Sequence, residues 1–112
     1  MENNILDNSF PLESKKSLTL IKSFFEAELP DFKLTSVDDG DKYNGFNIKY
    51  ESSNTQVKFT NPRGGLDYDL FIDGKQYSLA KYDERMKEVY VCSEKNLKFT
   101  LSILKKFITK KI

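Results

Sequence analysis

Histidine is absent from these 112 residues, and cysteine occurs once, at Cys92. Histidine is the side chain that titrates near neutral pH unaided, and the commonest general base and metal ligand. Its absence excludes the nucleophile–histidine pairs of many hydrolases and the usual zinc sites. Paired carboxylates or a perturbed lysine are the chemistry left to an enzyme. A lone cysteine forms no internal disulfide, which suits a reducing compartment. Arginine is scarce too: of 18 basic residues only Arg63 and Arg85 are arginine, and the net charge is +1. Nucleic-acid readers carry a basic excess and favour the arginine fork for phosphates and base edges, so direct nucleic-acid binding is not expected. No apolar run approaches the roughly 20 residues of a membrane span. The opening Met1-Glu2-Asn3-Asn4-Ile5-Leu6-Asp7 lacks the basic-then-apolar order of a signal peptide. These absences lead us to expect a soluble, cytoplasmic chain with no membrane contact, no metal site and no cofactor.

Aromatic residues make up 13% of the chain, nine Phe and six Tyr, enough to build a core although 31% of residues are charged. The length suits one domain, expected over residues 10–112 behind a frayed, polar start at 1–9. Ser9 and Pro11 suggest the start of a helix whose apolar face is Leu18, Ile21, Phe25 and Leu29, widened by Leu20 and Phe24. Pro30 should end it. The period then changes to two. Phe32, Leu34 and Ser36 alternate with Lys33, Thr35 and Val37, and Phe46, Ile48 and Tyr50 alternate with Asn47, Lys49 and Glu51. A further strand spans Gln56–Phe59, and the cleanest places Leu66, Tyr68, Leu70 and Ile72 on one side, Asp67, Asp69 and Phe71 on the other. Asp38-Asp39-Gly40-Asp41, Ser52-Ser53-Asn54, Asn61-Pro62-Arg63-Gly64-Gly65 and Asp73-Gly74 read as turns. Ser78 is a candidate N-cap for a helical face of Leu79, Tyr82, Met86 and Val89, while residues 87–92 read equally as helix or strand. Ser93 caps a final helix with Leu97, Leu101, Leu104 and Ile108 along one face and lysines 105, 106, 110 and 111 in its last turns. The expected fold is α+β: an N-terminal helix, an antiparallel meander of four to five strands, and one or two C-terminal helices on one sheet face.

The charged segments offer binding surfaces more readily than catalytic ones. Asp38-Asp39-Gly40-Asp41 fails the calcium-loop pattern, which needs glycine sixth and glutamate twelfth. With Glu28 and Asp31 it forms an acidic stretch suited to a basic partner. Asp67, Asp69 and Asp73 share one parity and are expected to face solvent together, while Tyr43 and Tyr68 are candidate aromatic anchors. Arg63 sits at the tip of a loop that has neither the Walker nor the dinucleotide glycine spacing. The final lysines complement the helix dipole, and Cys92, between Val91 and the Ser93 cap, is expected to pack inside as an inert thiol.

One segment carries a family likeness. Tyr50-Glu51-Ser52-Ser53-Asn54-Thr55-Gln56-Val57-Lys58-Phe59, then Asn61-Pro62-Arg63-Gly64-Gly65-Leu66-Asp67, then Asp73-Gly74-Lys75-Gln76-Tyr77-Ser78-Leu79 resembles small bacterial immunity proteins encoded beside polymorphic or contact-dependent growth-inhibition toxins. In that group a strand meander, an arginine-bearing turn and a Tyr-Ser-Leu helix start recur. The resemblance covers about the middle third of the chain. It implies a non-enzymatic protein that binds the C-terminal domain of a cognate toxin, in some systems a nuclease, and occludes its active site. It carries over no catalytic residue. The competing readings are an adaptor or chaperone-like domain docking a peptide on an open strand edge, an enzyme with two carboxylates or a lysine in a deep cleft, and a nucleic-acid binder.

Overall fold

The alternation from Phe46 to Ile72 sorts the meander onto two unlike faces. In a computed structural model describing residues 7–111, Ile48 and Tyr50 of β2 (Asn47–Ser52), Thr55, Val57 and Phe59 of β3 (Thr55–Thr60), and Leu70 and Ile72 of β4 (Asp67–Ile72) are buried. The register aligns them: Ile48 lies opposite Phe59, Tyr50 opposite Val57, and Val57 opposite Leu70. Intervening residues, among them Lys49, Gln56, Lys58, Asp67 and Asp69, look the other way and remain exposed or half-exposed. With β1 (Lys33–Asp38) and β5 (Lys75–Tyr77) at its edges, this is one antiparallel sheet in chain order.

Two helices cover the apolar face. α1 (Ser14–Glu28) buries Leu18, Ile21 and Phe25, and the Phe25 ring stacks on Tyr50 with centroids 3.9 Å apart and planes 3° from parallel. α3 (Glu94–Lys111) buries Leu97, Leu101, Leu104 and Ile108 along the expected stripe, with Ile103 and Phe107 beside it. All belong to one apolar cluster that includes the buried strand residues. Burial of each such side chain contributes about 1.5–3 kcal/mol, which is what holds helices and sheet together. The α+β arrangement is the expected one.

Several local expectations are corrected. α1 begins at Ser14, not near Pro11. Leu12 N–H donates to Cys92 O at 2.8 Å and Ser14 N–H to Lys42 O at 2.7 Å, so the approach to the helix is held by long-range bonds and cannot coil early. Of the expected frayed start, residues 1–6 lie outside the described range, whereas Asp7 and Asn8 are fixed. Asp7 N–H donates to Asn96 Oδ1, and Asn8 Oδ1 accepts the Tyr90 and Val91 N–H groups. β1 does not keep the expected alternation: all six residues are exposed, and Thr35 is an extra residue between Leu34, opposite Tyr50, and Ser36, opposite Lys49.

The helix expected from Leu79 to Val89 breaks into α2 (Leu79–Tyr82) and a 3-10 turn at Glu84–Glu88. Asp83 causes the break. Its backbone is extended, and its carboxylate accepts from the backbone N–H of Arg85 while also gripping that guanidinium at 2.6 Å. The Arg85 hydrogen bond holds the Asp83 carboxyl below its ordinary range. Residues 87–92 are neither a continuing helix nor a full strand: the turn ends at Glu88 and Val91 makes a single bridge to Gly65.

Candidate functional site

Because β1 runs from Lys33 to Asp38 and its neighbours alternate in direction, the sheet has two ends about 20 Å apart, the rise of a six-residue strand. The loop end carries Asp38, Asp39, Asp41 and Tyr43 before β2, Arg63 between β3 and β4, and Asp67 where β4 begins. The turn end carries Glu28 and Asp31 ahead of β1, and Asp73 in the β4–β5 turn. The acidic stretch from Glu28 to Asp41 is therefore not one patch. Strand β1 separates its halves.

The loop end is built around a residue that sequence reading treated only as a turn former. Asn61 is fully buried, its Oδ1 accepts from Phe46 N–H at 2.7 Å, and its Nδ2 donates to Tyr43 O at 3.2 Å. Its backbone oxygen accepts from Gly45 and Gly64 N–H. One side chain and one carbonyl thus lock the acidic loop to the arginine turn. Gly40 completes the fold-back at φ +64°, where a Cβ would lie 2.3 Å from Phe46 N, so only glycine fits. Asp38 Oδ1 accepts from Gly40 N–H at 2.9 Å, and Asp41 N–H donates to Asn44 O at 2.7 Å.

The side chains presented on this frame are exposed. Asp38, Asp39 and Asp41 project into solvent, and Tyr43 is 43% exposed, with the Lys42 ammonium 5.5 Å from its ring centre. Among the described residues no cation lies within 4 Å of the Asp39 or Asp41 carboxylates, while Lys42 reaches Glu13 at 3.9 Å. Glu13, Lys15, Asp39, Gly40, Asp41 and Lys42 line a groove of about 380 Å³ beside the start of α1. Arg63 is exposed in a left-handed conformation (φ 54°, ψ 37°), and Gly64 behind it is buried where a Cβ would lie 3.3 Å from Pro11.

The remaining candidates lie elsewhere. Asp69 sits mid-sheet opposite Lys58 and accepts from Gln76 Nε2 at 3.3 Å. Asp73 does not share the strand face with Asp67 and Asp69. It follows the last strand residue, in a turn at φ 55°, and accepts from Asn54 Nδ2 at 2.6 Å. Glu28 pairs with Lys105 of α3, so that lysine ties two helices as well as facing the helix dipole. Tyr68 is turned toward the helix-covered side, and its hydroxyl accepts from Leu79 N–H at 2.7 Å, steadying the start of α2. It is a scaffold residue and not an anchor on the aspartate face. Cys92 is fully buried against Ser17, and burial pushes its thiol up to about 11, the inert state expected.

Sequence reading also missed Asn96. It is buried, and its Nδ2 donates to Asp7 O, Asn8 Oδ1 and Val91 O, gathering the start of the described chain and the 88–91 segment at the head of α3. A polar residue on the buried side of that helix, shared only with Thr100 among its described buried residues, was the available signal. Among the described residues, no group of three or more His, Cys, Asp or Glu side chains is placed to hold a metal ion. No described helix is long and apolar enough to cross a membrane. Comparison with protein-family models, with curated proteins and with solved structures finds no match for this chain.

Proposed function

We propose that this chain is a protein-binding inhibitor, an immunity protein that occludes the active site of a cognate bacterial toxin domain inside the producing cell. The observation that carries the reading is the loop end: exposed Asp38, Asp39 and Asp41 on a loop fixed by buried Asn61 and by Gly40, with Tyr43 and Arg63 alongside. Fixing the loop before association lowers the ordering cost of binding. Clustered carboxylates that are not held in ion pairs among the described residues accelerate encounter with a basic surface and set its orientation. A nuclease-type toxin, whose substrate channel is basic, meets both requirements. The immunity-protein likeness of the segment from Tyr50 to Leu79 supports the same reading. In this mechanism the inhibitor makes and breaks no bond; it fills the approach to the toxin's catalytic groups.

The test is co-expression with the C-terminal domain encoded by the adjoining reading frame. Growth rescue and a stoichiometric complex are the expected results. A metabolic enzyme in that position, or a toxic domain that this chain neither binds nor neutralises, contradicts the reading. A second reading has one observation in its favour: β1 is exposed along its whole length, as an adaptor docking an extended peptide requires. Binding to basic peptides of unrelated sequence, without neutralisation of the toxin, distinguishes it.

A further inference from the structure

The two sheet edges differ. β5 has three residues, a length that blunts an edge, whereas β1 has six, paired on one side only and exposed throughout. β1 also leaves two apolar side chains largely in water, Leu34 at 43% and Val37 at 42% exposure. In a regular strand, residues three apart point to opposite faces. Here the extra residue Thr35 resets the alternation, so Leu34 lies opposite Tyr50 and Val37 opposite Ile48, both on the helix-covered face. Lys33, opposite Glu51, and Asp38, opposite Asn47, lie together on the open face.

That pattern is self-complementary. We infer that β1 is a homodimer edge, pairing antiparallel with β1 of a second copy about a two-fold axis between Thr35 and Ser36. In this register Lys33 faces Asp38 of the second copy, Leu34 faces Val37, and Thr35 faces Ser36, each repeated by the symmetry. Both ion pairs fall on the open face and both apolar pairs on the covered face, so the two five-stranded sheets join as one. Without the bulge the same register would set Leu34 and Val37 on opposite faces of their own sheet. The occupant is thus argued from charge and face matching at every position of the strand, which an arbitrary peptide does not supply. The inference does not depend on toxin binding.

Joining six-residue edges buries less than the roughly 1,200 Å² of a standard interface, so the dimer should form with a dissociation constant on the order of 10–100 µM. Sedimentation velocity on the full chain, from about 1 to about 500 µM, should show mass rising from monomer to dimer. Val37→Lys, at an exposed position, should weaken association at least about tenfold while leaving the circular dichroism spectrum unchanged. Lys33→Asp and Asp38→Lys each set like charges opposite one another, and each should weaken self-association about tenfold. An equimolar mixture of the two matches every charge again and should recover dimerisation to within about threefold of the native chain. A chain that stays monomeric throughout overturns the inference, including the case in which an added extended peptide takes the edge. So does a dimer indifferent to Val37→Lys, or a mixture that associates no better than either variant alone.

Discussion

The two ends of the sheet carry carboxylates that look alike in sequence and are treated differently by the fold. At the turn end, Glu28 pairs with the Lys105 ammonium and Asp73 takes the neutral Asn54 amide at 2.6 Å, while Asp31, like the loop-end acids, has no cation within 4 Å among the described residues. At the loop end, Asp38 takes the N–H of Gly40 and Asp67 that of Tyr68, bonds that fix geometry without bringing a compensating cation. Asp39 and Asp41 have no cation within 4 Å among the described residues. Counting acidic residues along the chain therefore says little about where negative potential survives. What matters is which carboxylates the fold has already satisfied.

The sharpest way to break the comparison is to collapse the loop end. Gly40→Ala forces a Cβ against Phe46 N at 2.3 Å in a left-handed backbone, and should cost about 3 kcal/mol or more, read as a lower urea midpoint at constant slope. Asn61→Ala leaves the buried Phe46 N–H and the Tyr43 carbonyl without their partner. A loss of about 2–3 kcal/mol is expected, with heightened hydrogen exchange confined to residues 40–46.

Cys92 ties the same end together through its backbone, donating to Gly64 O and accepting from Leu12 N–H. Its thiol is raised from 9.0 to about 11 by burial, so the fold favours the neutral form. That contribution is complete below pH 9 and fades as pH rises from 9 toward 11. It should reach on the order of 2 kcal/mol, and alkaline melts of Cys92→Ala should lack that part of the decline. The smallest effect belongs to the turn end: Asn54→Ala, removing an exposed bond to Asp73, should change stability by less than about 1 kcal/mol.

Sequence periodicity was enough for the architecture because apolar spacing reports burial directly. Leu18, Ile21 and Phe25, Leu97 through Ile108, and the strand residues Ile48, Val57 and Leu70 all lie where their period places them. It failed where a side chain competes with the backbone pattern. Asp83 interrupts a helix whose apolar spacing continues through Met86 and Val89, and Thr35 resets a strand whose alternation looked regular. At the candidate site the exposed acids were legible as residue types, but their division between two ends followed from strand direction. Tyr68 shared the parity of Leu70, which already placed it away from Asp67 and Asp69. Asn61 was not legible, because a buried asparagine and a turn asparagine look the same until the partner, 15 positions away, is known.

Under the proposed function, the loop end, and not acidity in general, engages the partner. Calorimetric titration of the C-terminal domain encoded by the adjoining reading frame against two charge-reversed variants tests it most directly. One variant combines Asp39→Lys and Asp41→Lys; the other combines Glu28→Lys, Asp31→Lys and Asp73→Lys. The account predicts that the first loses affinity by about 100-fold or more while the second stays within about threefold of the native chain. Equal losses in the two variants, or full affinity in the first, would contradict it.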